Sequence, residues 1–298
     1  MSYVELHVSP ALRFSGFYKP FEKADYVILG VPFDGTSTYR PGSRFGPQAI
    51  REASQSLETH SLRTGLDAED LKICDAGDLH VLGDVEKTLE RVQLVLSEIV
   101  KAKKIPVILG GEHTITYGAI KAFERDIGIL CFDAHMDLRD ECLGSKLSHA
   151  TFMRRLSEKI KPEHIVEVGV RAFGREEFQF AKKKGIKIFT REDVRLADSK
   201  EIAEKIDNAL SDFEKIYLTL DMDVLDPSYA PAVGNPAPEG MDPSTLLDIL
   251  HDVCDCRVIA LDLVEVSPHY DTGLTSFQAA HIIYETLCFI EKRRRNRG

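Results

Sequence analysis

A chain of 298 residues with 38 Lys plus Arg against 48 Asp plus Glu carries a formal charge of −10, which argues against a nucleic-acid partner and suits a cationic small molecule. At 43% hydrophobic and 29% charged it has the make-up of a globular enzyme of one large α/β domain, and with no apolar run of roughly 18 residues it carries no membrane span. Six scattered cysteines without a CxxC pair exclude a disulfide scaffold and fit free thiols in a reducing compartment.

The opening MSYVELHVSPALRF lacks a basic n-region and a long apolar stretch, so it reads as neither signal nor transit peptide, and a cytoplasmic location is expected. Tyr26–Val31 (YVILGV) is the first strand. The turn-rich TSTYRPGSRFGP (36–47) has no phosphate-cradling glycine pattern; it reads as a loop near a cavity mouth, with Pro47 starting a helix. Val85, Leu89, Val92, Leu96 and Ile99 keep helical spacing. Val107–Leu109, Ile127–Phe132, Ile165–Val170 and Ile186–Phe189 read as further strands, followed by a helix over 200–213 and the strand Ile216–Leu220. Asp242-Pro243, an N-cap and then proline at the first helical position, opens the helix TLLDILHDV. Val258–Val264 is the last strand. A helix over 275–292 runs into KRRRNR (292–297), a basic end that the helix dipole favours. The strands are almost continuously apolar, as expected when both faces are covered. Their alternation with helices predicts a single domain over 1–298, an α/β/α sandwich around a mainly parallel sheet.

In such folds the active site lies beyond the carboxyl ends of the strands. GGEHT follows Val107–Leu109 and supplies His113; DAHMD follows Ile127–Phe132 and supplies Asp133, His135 and Asp137. DMD follows Ile216–Leu220 with Asp221 and Asp223, and Glu265 follows Val258–Val264. Backbone that stays extended past Phe132 would put Asp133, His135 and Asp137 on one face, and Asp221 and Asp223 would repeat the arrangement. A lone DxD is a weak signal, equally at home in a cap or a turn. Four carboxylates and two imidazoles after apolar strands are another matter: unpaired, they cost several kcal/mol. Lysine and arginine are absent from the clusters except for Arg139 at their edge. Divalent cations are the compensation left. Six ligands suit two ions about 3.5–4 Å apart that share carboxylates. Oxygen and imidazole donors without thiolate predict Mn²⁺, with Co²⁺, Ni²⁺ or Zn²⁺ as substitutes. Four carboxylates balance two divalent ions, and a bridging hydroxide would leave one negative charge to meet a cationic substrate group.

At this point the chain resembles the ureohydrolase (arginase/agmatinase) family, most closely its agmatinase members. The matching segments are GVPFDGTSTYRPGSRFGPQAIR (30–51), GGEHTIT (110–116), FDAHMDLRDE with LSHATF (132–152), LDMDVLDPSYAPAVGNPAPEG (220–240) and DLVEVSPHYD (262–271). The resemblance implies an arginase-like fold and a dimanganese centre. His113 and Asp137 would complete one metal site, His135 and Asp223 the other, and Asp133 and Asp221 would bridge. It implies hydrolysis of a guanidinium to urea and an amine, here agmatine to putrescine, with Glu265 holding the guanidinium and His149 shuttling protons. The loop LRDECLGSKLSHA carries Asp140 and Glu141 where arginases carry asparagine and serine groups; an acidic loop would suit a distal ammonium and repel a carboxylate. AVGNPAPEG (232–240) departs from the family pattern and is expected to line the mouth, so N1-aminopropylagmatine, giving spermidine, and arginine stay open as substrates. The family also implies a homo-oligomer, trimer or hexamer, in polyamine biosynthesis. Two other classes compete: a one-zinc deacetylase relative, and a non-catalytic polyamine- or arginine-binding protein, which would be expected to lose ligands.

Overall fold

The computed structural model describes residues 2–16, 18–123 and 126–297. Its centre is a sheet of nine strands: β1 (Val8–Ser9), β2 (Tyr26–Val31), β3 (Ile73–Leu79), β4 (Ile105–Gly110), β5 (Gly128–Phe132), β6 (Ile165–Val170), β7 (Lys187–Thr190), β8 (Ile216–Asp221) and β9 (Val258–Val264), in the order β1-β3-β2-β4-β9-β8-β5-β6-β7. Only β1 runs antiparallel, against β3. The chain leaves β4, builds β5, β6 and β7 outward, then returns to insert β8 and β9 between β5 and β4.

Side chains alternate across this sheet into two cores. On β2, Tyr26 and Ile28 enter one core while Val27, Leu29 and Val31 enter the other. The first core is covered by the helices Gly46–Ser54, Ser199–Ala209, Pro243–Val253 and Leu274–Arg297. The second is covered by Val85–Lys101, Ile115–Ile120, Phe152–Ser157 and Arg175–Lys184. This is the expected three-layer α/β/α sandwich. Local signals act as anticipated: Asp84 caps Val85–Lys101 by accepting from the Lys87 amide at 2.9 Å, and Asp242 caps Pro243–Val253 by accepting from Thr245 at 3.0 Å. The helix expected over 200–213 stops at Ala209, and the last one runs on through the basic tail to Arg297.

The sequence reading passes over β1 and β3. ICDAGDL looks unlike a buried strand because Asp75, Gly77 and Asp78 interrupt it. The fully buried Arg51 resolves the conflict: its guanidinium binds Asp75 at 2.8 and 2.9 Å, Asp78 at 2.5 Å and the Gly77 carbonyl at 3.0 Å. Gly77, at φ 102°, lets the backbone of β1 pass, since a Cβ there would lie 2.0 Å from the Ser9 carbonyl.

Candidate metal centre

β4, β9, β8 and β5 are neighbours in the middle of the sheet, and their carboxyl ends deliver His113, Glu265, Asp221 and Asp133 to one rim. The GGEH turn depends on close backbone approach. A Cβ on Gly111 would lie 1.9 Å from the Phe33 carbonyl, so only glycine lets its amide reach Val31 O (2.9 Å) and its carbonyl accept from the Glu265 amide (2.9 Å). That knot fixes the exits of β2, β4 and β9 together.

His113 Nδ1 points into a ring of carboxylates: Asp133 Oδ2 at 3.0 Å, Asp221 Oδ2 at 3.2 Å and Asp137 Oδ2 at 3.6 Å. His135 Nδ1 lies 3.0 Å from Asp223 Oδ2 and 3.6 Å from Asp133 Oδ1. Asp133 therefore stands between the two imidazoles. Two sets of ligand atoms close enough to share an ion form here, one with His113, Cys131 and Asp133 and one with Asp133, His135 and Asp223. Burial pushes the Cys131 thiol well up, which keeps it a neutral thiol and a poor ligand.

The convergence has a different cause from the one expected. β5 ends at Phe132, and Asp137 has a left-handed backbone, φ 50°, so the DAHMD segment is not a continued strand. After β8 the chain turns into a short 3₁₀ helix, Met222–Val224, with the Asp223 amide donating to Asp221 Oδ1 at 2.8 Å. Backbone amides likewise pin the other carboxylates: His135 N donates to Asp133 Oδ1 (2.6 Å) and Ala134 N to Asp223 Oδ1 (3.1 Å). Each of these aspartates is left with one oxygen free to face the centre. Glu265 joins Asp137 in the left-handed region at φ 66°. Such backbone costs of order 1–3 kcal/mol at a non-glycine residue and persists where the surroundings enforce it.

The donor set fits divalent ions. His113 Nε2 lies 2.9 Å from Thr219 Oγ1, while Nδ1, fully buried, makes no hydrogen bond despite three nearby carboxylates. A bare nitrogen lone pair aimed at carboxylates is repulsive unless a cation lies between them. The acid–base state of the metal-free protein is consistent with this. Burial opposes charging His113 and His135, but Asp133 and Asp221 beside the first, and Asp223 and Asp133 beside the second, outweigh it and raise both pKa values well above the usual range. Burial, reinforced by neighbouring aspartates, raises Asp137 and Asp221 as well. Protons thus stand in for cations, and metal must displace them. The raised pKa values mean that protons compete with incoming ions for these groups. Affinity for a divalent ion is therefore expected to rise with pH, by about tenfold per pH unit for each proton displaced. Calorimetry in two buffers of different ionisation enthalpy reads the proton count; uptake without proton release contradicts the assignment.

Asp137, His135, Asp221, Asp223, His149 and Glu265 line one small cleft of about 100 Å³, with Thr38, Arg139, Glu177 and Asn235 at its walls. Glu265 Oε1 accepts from the His113 amide at 2.8 Å. Burial, and then the charge of Glu112, push Glu265 up to about 8. His149 is held by Thr36 Oγ1, 3.3 Å from Nδ1, and Thr38 Oγ1, 3.2 Å from Nε2. Thr36 in turn donates to the buried Glu112 at 2.7 Å. Asp140 and Glu141 do not reach the cleft. They border an outer depression, where Asp140 pairs with Arg155 at 2.7 Å.

Glu112, Arg171, Thr219 and Asp262 escaped the sequence reading, and Thr36, Thr38 and Asn235 entered it only as members of loops near the mouth. Two carried a readable signal: Asp262 is a lone acid inside the apolar ALDLV, and Arg171 is a cation directly after β6. The Arg171 guanidinium donates to the carbonyls of Gly169, Asp223, Val224, Leu225, Ala237 and Pro238 at 2.7–3.3 Å, tying the Asp223 turn to the 232–240 loop.

Comparison with known proteins gives the same direction. The Arginase family profile matches residues 24–288. The agmatinase of Bacillus subtilis is 38% identical over 274 residues, covering 90% of this chain and 92% of its own. The N(1)-aminopropylagmatine ureohydrolase of Thermococcus kodakarensis is 36% identical, covering 89% and 91%. The crystal structure of agmatine ureohydrolase of Thermoplasma volcanium superposes with a TM-score of 0.90 at 33% identity, over 97% of each chain.

Proposed function

The chain belongs to the arginase family, and from that premise we propose that it is a binuclear manganese hydrolase cleaving the guanidinium of agmatine to putrescine and urea. A hydrolase acting on guanidino compounds is the coarser statement, common to the relatives named above. The observation that carries the reading is the pair of imidazoles, His113 and His135, set around Asp133 with Asp137, Asp221 and Asp223 at one rim. Asp133 and Asp221 would bridge, His113 and Asp137 would complete one site, and His135 and Asp223 the other. When bound, the ions supply Lewis acidity and water activated at neutral pH.

The chain's own groups do the rest. Glu265 lines the cleft and, ionised in the presence of cations, would orient a planar guanidinium by accepting its N–H groups. His149 is neutral at working pH, since burial, and then the neighbouring His135, push it down to about 4. It therefore enters as a proton acceptor, taking the proton that the attacking water sheds and passing it to the leaving amine. His149→Ala is expected to lower kcat by roughly 10²–10⁴-fold with both ions retained, measured by urea release alongside elemental analysis. Loss of metal in that variant would instead place His149 in the ligand set.

Agmatine as substrate is supported by the names of the relatives; Asp140 and Glu141 line the neighbouring depression, which shares Arg139 and Glu177 with the cleft, rather than the cleft itself. Arginine is the second reading, and Arg139 favours it: this cation lines the cleft, its Nε 3.7 Å from Glu177, and would meet an α-carboxylate. Aminopropylagmatine is the third, because Asn235 of the unusual 232–240 loop lines the mouth as expected. With the reading go a cytoplasmic location and a homo-oligomer, trimer or hexamer. Urea release from agmatine, aminopropylagmatine, arginine and guanidinobutyrate with Mn²⁺ tests it. Agmatine should give the highest kcat/KM; preference for arginine overturns the specificity, and no urea from any of them overturns the reaction.

A further inference from the structure

Asp262 is fully buried in β9, and its hydrogen-bond partners among the described residues are three hydroxyls. Its Oδ2 accepts from Tyr217 OH at 2.6 Å and from Thr116 Oγ1 at 2.9 Å, and its Oδ1 from Thr219 Oγ1 at 2.5 Å. Thr219 and Asp262 are register partners across β8 and β9, so the contact is built into the sheet. A buried carboxylate of this kind adds little to stability compared with an apolar residue of the same volume. Its placement calls for another explanation.

Proton bookkeeping supplies one. A carboxylate only accepts, so all three hydroxyl protons point at Asp262. Thr219 has then spent its single proton, and its oxygen must accept from His113 Nε2 at 2.9 Å. The ring proton of neutral His113 is thereby assigned to Nε2, and Nδ1 is left as a lone pair facing Asp133, Asp137 and Asp221. We propose that Thr219 and Asp262 are positioning residues of the metal centre, a hydroxyl–carboxylate relay that fixes the tautomer and the orientation of the His113 ring. Partners of this type behind a ligating histidine raise its basicity and hold its plane. Tyr217 and Thr116 brace the relay from the opposite side. The inference rests on the reading of His113 as a metal ligand, but it concerns different atoms and fails independently.

The experiment measures metal rather than turnover. Wild-type protein, Thr219→Val, Thr219→Ser and Asp262→Asn are titrated with Mn²⁺ by calorimetry, and metal content is counted after dialysis. Thr219→Val, which keeps the shape and removes the hydroxyl, is expected to weaken one of the two ions by roughly 10- to 100-fold while the other binds as before. Thr219→Ser restores the hydroxyl and should return affinity to within about threefold of wild type, well inside that range. A general loosening of the fold would weaken both ions and would not be rescued by serine. Wild-type affinity for both ions in Thr219→Val overturns the relay and leaves the metal site standing; a wild-type protein that takes up no Mn²⁺ overturns both. Should Thr219→Val fail to fold, Asp262→Asn carries the test: weaker binding of one ion, with the other unchanged, supports the relay, and wild-type affinity for both ions refutes it.

Discussion

Asp221→Ala is expected to bind neither Mn²⁺ ion and to release urea at background rates. Asp221 does two things that alanine cannot. Its Oδ2 approaches His113 Nδ1 at 3.2 Å, and its Oδ1 accepts the Asp223 amide at 2.8 Å, which sets the turn that aims Asp223 at His135. Removing it would take away the oxygen proposed to bridge both ions and would free Asp223, the ligand proposed for the second. Metal-assisted charge stabilisation is worth several kcal/mol in the transition state, so with about 1.36 kcal/mol per decade the loss of rate is at least about a thousandfold. The same substitution has the opposite effect on the metal-free fold. Asp221 sits among Asp133, Asp137 and Asp223, and its burial with these like charges is unfavourable. Metal-free Asp221→Ala should therefore unfold at the same urea concentration as metal-free wild type or a higher one, which separates loss of ligand from loss of fold. Elemental analysis and urea melts of both proteins, with and without Mn²⁺, check each half. Full metal content in the variant contradicts the bridging role.

That opposition between function and stability explains which parts of the site could be read from sequence. Acids and histidines after apolar strands are conspicuous because they violate the burial pattern, and His113, Asp133, His135, Asp137, Asp221, Asp223 and Glu265 all stood out on those grounds. Their backbone did not. Period-two spacing suggested extended chain through Asp137, whereas the structure uses a left-handed residue there and a 3₁₀ turn at Met222–Val224. Asp140 and Glu141 were placed by resemblance of their loop to the family's, and they line the outer depression instead of the cleft. Supporting groups were harder still. A threonine inside IYLTL is unremarkable in a strand, and nothing local in the sequence reveals that its hydroxyl is sandwiched between His113 and Asp262. Thr36 and Glu112 lie 76 residues apart, and their contact at His149 exists only once β2 and β4 have paired.

Arg51→Ala is expected to give the largest loss of stability, about 3–5 kcal/mol, the usual consequence of leaving one partner of a buried ion pair alone. Arg51 has a side chain with no exposure, and Asp75, exposed by 3%, would keep its charge with only amide donors, from Phe14 at 2.8 Å and Gly77 at 3.0 Å. Asp78, exposed by 29%, would turn to water. The cost should therefore arise from Asp75 alone. Arg51→Met combined with Asp75→Leu removes both buried charges and should recover most of the loss, because a paired buried charge and an apolar pair of similar volume are often close in stability. Urea denaturation of the three proteins measures the difference, and an Arg51→Ala variant within about 1 kcal/mol of wild type would show that Asp75 finds other solvation. The consequence reaches the active site. Arg51 belongs to the helix Gly46–Ser54, which anchors the loop carrying Thr36 and Thr38. If the helix loosens, the two hydroxyls that hold His149 lose their footing, so the single variant should turn over more slowly even where it remains folded, and the double variant should regain rate together with stability.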